Sequence, residues 1–288
     1  DYINWFSAYN LVSKGMVLKM CLGDKKNTTK IEQYIKEKIK KNKFKFILNK
    51  DQKKSLDNLK TFGNSFNVSL LQGVTGSGKT IVYFERVKEI ISKGQQVLIL
   101  LPEIFLTNQF KERFEEFFGF LPAIWHSKIG IKSKRKIWQA VANKDLNLVI
   151  GARSSLLLPF KNLGLIVLDE EHDPSYKQDE GIIYHARDMA ISRASFENIP
   201  IHLVSAVPSL ETFSNIKNKK YNHTRLSNRY RDFPLPETAV VNLEKASLNK
   251  DQFIANETIE LIQSYLKKKE QVLFFLNRRG YAPFLICK

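Results

Sequence analysis

The chain has 288 residues, 43% of them hydrophobic, which is enough to fill the cores of one large or two ordinary domains. Its 46 Lys and Arg against 29 Asp and Glu give a net charge of +17, which favours a polyanionic partner such as nucleic acid. A bias of the composition toward Lys, Asn and Ile can account for part of that excess.

The cysteines and the two termini bear on cellular location. Because Cys21 and Cys287 are far apart in the chain, a disulfide framework is disfavoured and the cytoplasm is the expected compartment. No apolar run approaches the roughly 20 residues needed to cross a bilayer, and the start lacks the basic region of a signal peptide, so no membrane partner is expected. The absence of an initiator Met and the end at Lys288, just after an apolar run, predict a segment cut at both ends.

The first part of the chain divides by composition. Apolar and aromatic residues between Trp5 and Leu18 predict a short amphipathic helix and a following strand. Residues 25–46 are rich in Lys and poor in large apolar residues, which predicts a solvated basic linker or exposed helix, with direct DNA contact as the alternative.

From residue 47 onward, short apolar runs alternate with helical patterns. Such runs are typical of strands buried on both faces of a parallel sheet, so we expect an α/β layered fold. The predicted strands are Val68 to Leu71, Val97 to Leu101, Leu148 to Ile150, Leu165 to Leu168 and Ile201 to Val204.

The pattern changes after Ser227. Residues 228–236, with their arginines and prolines, indicate an interdomain connection. A helix around Ile254 to Leu266, flanked by the apolar runs Val240 to Leu243 and Val272 to Leu276, predicts the start of a second α/β unit.

A phosphate-binding loop follows the first predicted strand. The pattern G-x-x-x-x-G-K-[ST] is formed by Gly73, Val74, Thr75, Gly76, Ser77, Gly78, Lys79 and Thr80. Backbone N–H groups of such a loop, with the positive end of the helix behind it, face phosphate oxygens. We expect Lys79 to reach the β- and γ-phosphates of ATP and Thr80 to bind the Mg²⁺ that bridges them. The alternative is a glycine-rich turn without a ligand.

An acidic box stands at the end of a predicted strand. The run Leu165 to Leu168 leads into Asp169-Glu170-Glu171-His172, and the carboxyl ends of strands are where an α/β sheet binds ligands. Asp169 is suited to hold Mg²⁺ through water, and Glu170 to position or deprotonate the water that attacks the γ-phosphate. The alternative is a solvated helix start.

These motifs together resemble a known family. The phosphate loop, Gly151 to Ser154, the D-E-x-H box and Ser205 to Ser209 occur in the order of the superfamily 2 helicases. Within that superfamily the chain is similar, from Leu48 onward, to the bacterial primosomal replication-restart helicases of the PriA family. The matching stretches are Leu71 to Thr80, Leu101 to Ile104 with Leu106 and Thr107, Pro159 to Gly164, Asp169 to Asp173 with Ser175 to Gln178, Tyr184 to Asp188, and Phe275 to Pro283.

The resemblance implies a fold and a division into domains. Residues 47–227 would form a RecA-like P-loop NTPase lobe with a parallel sheet. Residues 228–288 would begin a second RecA-like lobe and stop before its zinc-binding region. Residues 1–24 would be the end of an N-terminal DNA-binding domain, and residues 25–46 would take the place of a reduced or missing winged helix.

It also implies an activity. The expected function is that of an ATP-dependent 3′-to-5′ DNA helicase, which recognises stalled or branched replication forks and initiates primosome assembly. Expected cofactors are ATP and Mg²⁺, with Zn²⁺ in the complete protein and Cys287 as its first ligand. Expected partners are forked and single-stranded DNA, primosome proteins and single-stranded DNA-binding protein. Since the arginine that completes the catalytic site lies beyond residue 288, this chain alone is expected to hydrolyse ATP poorly.

Further residues take roles by the resemblance. His172 joins the catalytic set, Gln52 resembles the adenine-recognising glutamine, and Ser205 and Ser209 would couple nucleotide to DNA, although the family usually has Thr at the position of Val207. Expected DNA contacts are Glu103, Thr107, Arg153, Tyr176, Lys177, Tyr184, His185, Arg187, Arg278 and Arg279. For Tyr176 and Tyr184 the alternative is packing within the lobe, and for the two last arginines it is an exposed turn.

Three other functions are weighed against this one. A restriction-type motor of the same superfamily would share the nucleotide motifs but lack the stretches Ser175 to Gln178 and Tyr184 to Asp188. A non-catalytic DNA-binding or partner-docking module is disfavoured by the intact phosphate loop and acidic box. An ATP-driven transporter subunit is disfavoured because no L-S-G-G-Q-like signature lies between those two motifs.

Overall fold

The computed structural model describes residues 1–22, 46–227, 229, 237–243, 245–246 and 254–275. The chain divides into two units, Asp1–Phe233 and Pro234–Lys288. Most of the predicted basic linker lies outside the described residues, as do Arg278, Arg279 and Cys287. Within the described ranges, no helix is long and apolar enough to cross a membrane.

A seven-stranded parallel sheet organises the first unit. Its strands are β1 (Asn67–Gly73), β2 (Gln96–Leu100), β3 (Ala123–Trp125), β4 (Leu148–Gly151), β5 (Leu163–Asp169), β8 (Pro200–Ser205) and β9 (Asn222–Leu226). Their spatial order is β3-β4-β2-β5-β8-β1-β9. The α/β fold and all five predicted strands are confirmed. The two strands that prediction missed are at the sheet edges, where β3 is short and β9 is largely polar.

Helices cover both faces of this sheet. They are α3 (Lys50–Thr61), α4 (Lys79–Ser92), α5 (Asn108–Phe118), α6 (Ile131–Ala142), α7 (Ala186–Phe196) and α8 (Leu210–Lys217). Successive strand residues point to opposite faces, so Leu98 packs in one core and Ile99 in the other. Helices α3, α4 and α5 close one core, and α6 and α7 close the second.

The N-terminal residues form two helices, α1 (Tyr2–Tyr9) and α2 (Lys14–Leu22), so the predicted strand after the first helix is wrong. Phe6 and Val17 are fully buried in the core that α6 and α7 close. The Tyr2 hydroxyl donates to the Met189 carbonyl at 3.1 Å, and Trp138 Nε1 donates to the Cys21 carbonyl at 2.8 Å. Residues 1–22 are therefore integrated into the first unit.

In the second unit the described residues contain one helix, α9 (Asn256–Lys267), close to the predicted range. Residues 240–243 and 272–275, which belong to the two apolar runs beside this helix, are not strands. A strand needs a neighbour to satisfy its backbone N–H and C=O groups, and within the described part of this unit no pairing is present.

Candidate nucleotide-binding site

The phosphate loop joins the end of β1 to the start of α4. Gly76 and Gly78 have φ angles of +82° and +84°, a region that favours glycine. A side chain on Gly78 would also clash with the amide of Gln52. The turn therefore depends on these glycines both for its backbone conformation and for the close approach of α3.

Lys79 lies folded over the loop. It is largely buried, and its Nζ donates to the Gly73 carbonyl at 2.8 Å. The Ser77 hydroxyl is buried and has no hydrogen-bond partner among the described residues. A buried ammonium and an unpaired hydroxyl donor, placed at the positive end of a helix, form an arrangement that fits an anion.

Gln52 is held against this loop. Together with Asn49 it forms a capping box at the start of α3: Gln52 N–H donates to the Asn49 side chain at 2.8 Å, and Asn49 N–H donates to Gln52 Oε1 at 3.0 Å. Gln52 Nε2 donates to the Ser77 carbonyl at 3.0 Å. The Gln52 side chain, which was predicted to recognise adenine, is 3% exposed and supports the phosphate loop through this bond. It also lines the cavity described below.

The acidic box lies opposite, at the end of β5. Asp169 is 8% exposed, and its two carboxylate oxygens accept from the Tyr83 hydroxyl at 2.9 Å and from Glu170 N–H at 3.0 Å. Burial, reinforced by the nearby Glu170 carboxylate, raises the pKa of Asp169 to about 6. Glu170 has a φ of +48°, an uncommon backbone conformation for a residue other than glycine, and such strain is typical of functional sites.

A cavity of about 680 Å³ connects the two motifs. Its lining contains the predicted residues Gln52, Thr75, Gly76, Gly78, Lys79, Thr80, Asp169 and Glu170. It also contains Phe46, Ile47, Ile81, Arg113 and Glu116, for which no sequence motif gave a signal. An adjoining cavity of about 180 Å³ extends from Asp169 and Glu170 to Thr107 on the N-terminal side of α5. The structure thus brings the two nucleotide motifs to one concave surface at the carboxyl edge of the sheet.

His172 contacts the residues predicted to couple nucleotide and DNA. Its Nδ1 lies 2.8 Å from the Ser205 hydroxyl, at the end of β8, and 3.6 Å from a Glu170 carboxylate oxygen. Ser209 is the N-cap of α8, where its side chain accepts from Thr212 N–H. The D-E-x-H box therefore touches the 205–209 segment directly.

Two further residues at this site were not identified by sequence reasoning. Tyr83, one turn into α4 from Lys79, is fully buried and holds the Asp169 carboxylate. Glu171 is fully buried and accepts hydrogen bonds from Ser209, Thr212 and Arg187. The apolar-to-acidic pattern of the box could not distinguish Glu171 from its neighbours, because its inward orientation depends on contacts with α7 and α8.

Tyr176 and Tyr184, the two tyrosines among the expected DNA contacts, are buried. Tyr176 is fully buried, and its hydroxyl lies 2.6 Å from the Asp169 carbonyl and 3.0 Å from the Leu100 carbonyl. Tyr184 is 4% exposed and packs edge-on against Phe6. Neither ring is available to stack on a base, so that expectation is corrected to the alternative of packing within the lobe.

The basic residues of this segment differ in accessibility. Strands β6 (Lys177–Gln178) and β7 (Tyr184–His185) form a small antiparallel hairpin. Lys177 is exposed and pairs with Asp179 at 3.1 Å, whereas Arg187 is 7% exposed. Burial would lower the pKa of Arg187, but the Asp188 and Glu171 carboxylates raise it above its ordinary value. The expectation that Arg187 meets a DNA phosphate is corrected, since its guanidinium already faces carboxylates.

The remaining predicted DNA contacts lie near the carboxyl edge of the sheet. Glu103 is exposed and accepts a hydrogen bond from Ser127 N–H at 3.2 Å. Partial burial alone would raise the pKa of Glu103, but the hydrogen bonds from Ser127 outweigh this effect and lower the pKa. Thr107 caps α5, and Arg153 donates to the Lys177 carbonyl at 2.5 Å. His185 is half-buried, and burial lowers its pKa.

Comparisons with known proteins agree with this architecture. The DEAD/DEAH box helicase model matches residues 49–216. The chain is 45% identical over 291 residues to the replication restart protein PriA of Rickettsia conorii, an alignment with 100% of this chain and 44% of that protein. It is 39% identical over 222 residues to PriA of Bacillus subtilis, covering 77% of this chain and 28% of that protein.

A solved structure of RecG bound to a three-way DNA junction has the same fold. It superposes with a TM-score of 0.51 at 22% identity, over 78% of this chain and 28% of that one. The chain spans less than half the length of the curated relatives that it matches. Its matched family model, its RecA-like sheet and its PriA relatives together show that this chain belongs to the DEAD/DEAH box helicase family.

Proposed function

We propose that this chain is the ATP-binding motor lobe of a DNA helicase that acts in replication restart. The observation that carries the proposal is the shared cavity in which Lys79, Thr80, Asp169 and Glu170 meet. The name of the PriA relatives, replication restart protein, supports the biological role. We further propose 3′-to-5′ movement along DNA and recognition of forked substrates, following the resemblance to that family.

ATP would bind with its phosphates over the loop. Lys79 would exchange its bond to the Gly73 carbonyl for the β- and γ-phosphates, and the N–H groups of residues 74–79 would face the same oxygens. Gln52, in α3, lines the same cavity as Phe46 and Ile47, and we place the base at this part of it. An apolar side chain next to an amide suits a purine, which has both a flat face and hydrogen-bonding edges.

Hydrolysis would rest on the acidic box. The carboxylate of Asp169 and the hydroxyl of Thr80 lie on the cavity wall and are oxygen ligands of the kind that Mg²⁺ prefers, so the residues fit this ion. The bound ion would neutralise charge on the β- and γ-phosphates. Glu170 would orient the attacking water and accept its proton, and its strained backbone holds the side chain at the edge of the cavity.

Coupling to DNA would run through His172 and Ser205, which are in contact. Glu103, Thr107 and Arg153 remain proposed contacts to the single strand, together with the exposed Lys177, whose carbonyl accepts from Arg153. Contacts to phosphate through backbone amides or hydroxyls carry no base identity, as translocation along any sequence requires. Arg278 and Arg279 are proposed contacts outside the described residues.

The proposal extends to the whole protein. Although α1 and α2 pack into the core of the first unit, residues 1–24 would be the end of an N-terminal DNA-binding domain. Residues 25–46 would follow as a linker, residues 47–227 would be lobe 1, and residues 228–288 would begin lobe 2. Primosome proteins and single-stranded DNA-binding protein are proposed partners. Among the described residues no group of three His, Cys, Asp or Glu could hold a metal. Cys287 lies outside those residues, and a zinc site that includes it is proposed for the complete protein.

The test is ATP hydrolysis by the chain extended through a complete second lobe, with and without forked DNA. We expect DNA to stimulate ATP hydrolysis strongly, and Glu170→Gln to abolish this stimulation. The chain of residues 1–288 alone should hydrolyse ATP poorly, because an arginine from the second lobe raises the rate about 10³-fold or more in related hydrolases. Nucleotide binding without hydrolysis under any DNA condition would contradict the motor assignment and favour a docking module. Stimulation by blunt duplex DNA alone would favour a restriction-type translocase.

A further inference from the structure

Arg113 lies on the wall that α5 contributes to the nucleotide cavity. It lines both the cavity of about 680 Å³ and the adjoining cavity of about 180 Å³. The other residues that line both cavities are Thr80, Asp169 and Glu170. Thr80 and Asp169 are the proposed Mg²⁺ ligands, and Glu170 is the proposed base for the attacking water. Arg113 therefore stands at the end of the cavity where the γ-phosphate would lie.

The spacing of residues along α5 gives the orientation of this wall. Gln109 and Arg113 are four residues apart, so they share one face of the helix, and both line the smaller cavity. Glu116 lines the larger cavity, and Phe117 packs against Phe46 with the ring centroids 5.5 Å apart. This face of α5 thus follows the cavity from the proposed γ-phosphate end toward the end where the base is placed.

The guanidinium of Arg113 is available for a ligand. Arg113 is exposed, and within the part of the chain that the structure describes it makes no hydrogen bond or ion pair. Lys79, by contrast, must first give up its bond to the Gly73 carbonyl. A guanidinium presents its N–H donors in a planar fork that matches the oxygens of a phosphate group. Arg113 can therefore accept a phosphate without the loss of an existing contact.

The charge at this end of the cavity gives such a contact a purpose. Asp169 and Glu170 place two carboxylates where the γ-phosphate would arrive. Repulsion between these negative charges opposes the binding of ATP more than that of ADP, which ends at the β-phosphate. Mg²⁺ and Lys79 act on the β- and γ-phosphates together. A further cation at the γ-phosphate end would offset the charge that ATP alone brings.

We propose that Arg113 binds the γ-phosphate of ATP and makes this lobe prefer ATP to ADP. Its guanidinium would donate hydrogen bonds to γ-phosphate oxygens, and with ADP it would stay unpaired. This contact comes from the same lobe as the phosphate loop, so it is distinct from the arginine expected beyond residue 288. The inference rests on the proposed function, because it requires ATP in this cavity.

The experiment uses the full-length protein that contains this chain. Calorimetry measures its affinity for ADP and for a non-hydrolysable ATP analogue, each in the presence of Mg²⁺. The variants are Arg113→Gln and Arg113→Lys. Lys111→Gln is the matched control, because it removes a positive charge from the same helix at a residue that lines neither cavity. Thermal unfolding without nucleotide is measured for each protein and should not change in Arg113→Gln, since the side chain is exposed.

We expect Arg113→Gln to weaken binding of the ATP analogue at least about fivefold and binding of ADP less than about twofold, because a charge-assisted hydrogen bond to the γ-phosphate is lost. Arg113→Lys keeps the charge but not the planar fork, so its affinity for the analogue should lie between those of wild type and Arg113→Gln. Lys111→Gln should leave both affinities unchanged.

Three results would overturn the inference. One is an unchanged affinity of Arg113→Gln for the analogue, and another is an equal loss for both nucleotides or an equal loss in Lys111→Gln, which would indicate an effect of general charge. The third is a large loss of thermal stability in Arg113→Gln, since the guanidinium would then hold the fold. Wild-type protein that binds neither nucleotide would instead count against the proposed function.

Discussion

Replacing Asp169 by Asn should stabilise the protein, and the gain should depend on pH. In the fold the pKa of Asp169 is raised to about 6 from its ordinary 3.8, because the carboxylate is buried next to Glu170. The unfolded chain therefore releases this proton at lower pH than the folded protein does. Relative to neutral pH, the Asp169 carboxyl group makes its full contribution to the stability of the fold below pH 3.8. This contribution is lost as the pH rises through about 6.

The difference between these two pKa values corresponds to about 3 kcal/mol of unfolding free energy. The side-chain amide of the variant would not titrate, and it can still pair with the Tyr83 hydroxyl and the Glu170 N–H group that now contact Asp169. We therefore expect Asp169→Asn to be more stable than wild type by up to about 3 kcal/mol at pH 7, with little gain at pH 4.

The assay is urea unfolding of both proteins without nucleotide at several pH values between 4 and 7. Asp57→Asn, at an exposed position of α3, is the control and should show no pH-dependent gain. Addition of Mg²⁺ with a non-hydrolysable nucleotide should stabilise wild type more than the Asp169→Asn variant, since the cation's charge offsets the buried carboxylate. Parallel stability profiles for Asp169→Asn and wild type across this pH range would refute the reasoning.

Three further outcomes are expected. Lys79→Ala in the two-lobe protein should reduce ATP turnover at least about 10²-fold in steady-state assays, because its ammonium faces the phosphates; unchanged turnover would contradict its role. Tyr176→Phe should lower the unfolding free energy by about 1–3 kcal/mol in denaturant titration, since the Asp169 and Leu100 carbonyls lose their buried donor. A variant with full stability but reduced DNA affinity would instead support stacking of Tyr176 on a base. His202 is fully buried, and burial with the nearby Arg86 lowers its pKa to about 3 from 6.5. The stability that neutral His202 contributes is present above pH 6.5 and falls by up to about 5 kcal/mol as the pH drops to 3. His202→Asn should therefore reduce the loss of unfolding free energy between these pH values. An equally steep loss in the variant would show that another group is responsible.

The nucleotide half of the site was predictable because its signals are local. The phosphate loop needs glycine where φ is positive, as at Gly76 and Gly78, and a Lys at the start of the following helix. The strands were predictable too, because a strand covered on both faces carries a nearly continuous apolar run, as Val97 to Leu100 in β2 and Leu165 to Leu168 in β5 do. These constraints act within a few residues and are written directly in the order of the amino acids.

What lay beyond the sequence depends on contacts between distant elements. The same Tyr at position 176 could have stacked on a base or closed the core, and only the carbonyls of Leu100 and Asp169, brought to its hydroxyl by β2 and β5, decide for the core. The partners of Glu171 and Asp169 come from α7, α8 and α4. Residues 1–22 form no strand because α1 and α2 find an apolar surface on α6 and α7. The local order of the amino acids determined the elements and the phosphate chemistry. The tertiary fold determined which polar side chains are buried, because burial depends on neighbours that are remote in the chain.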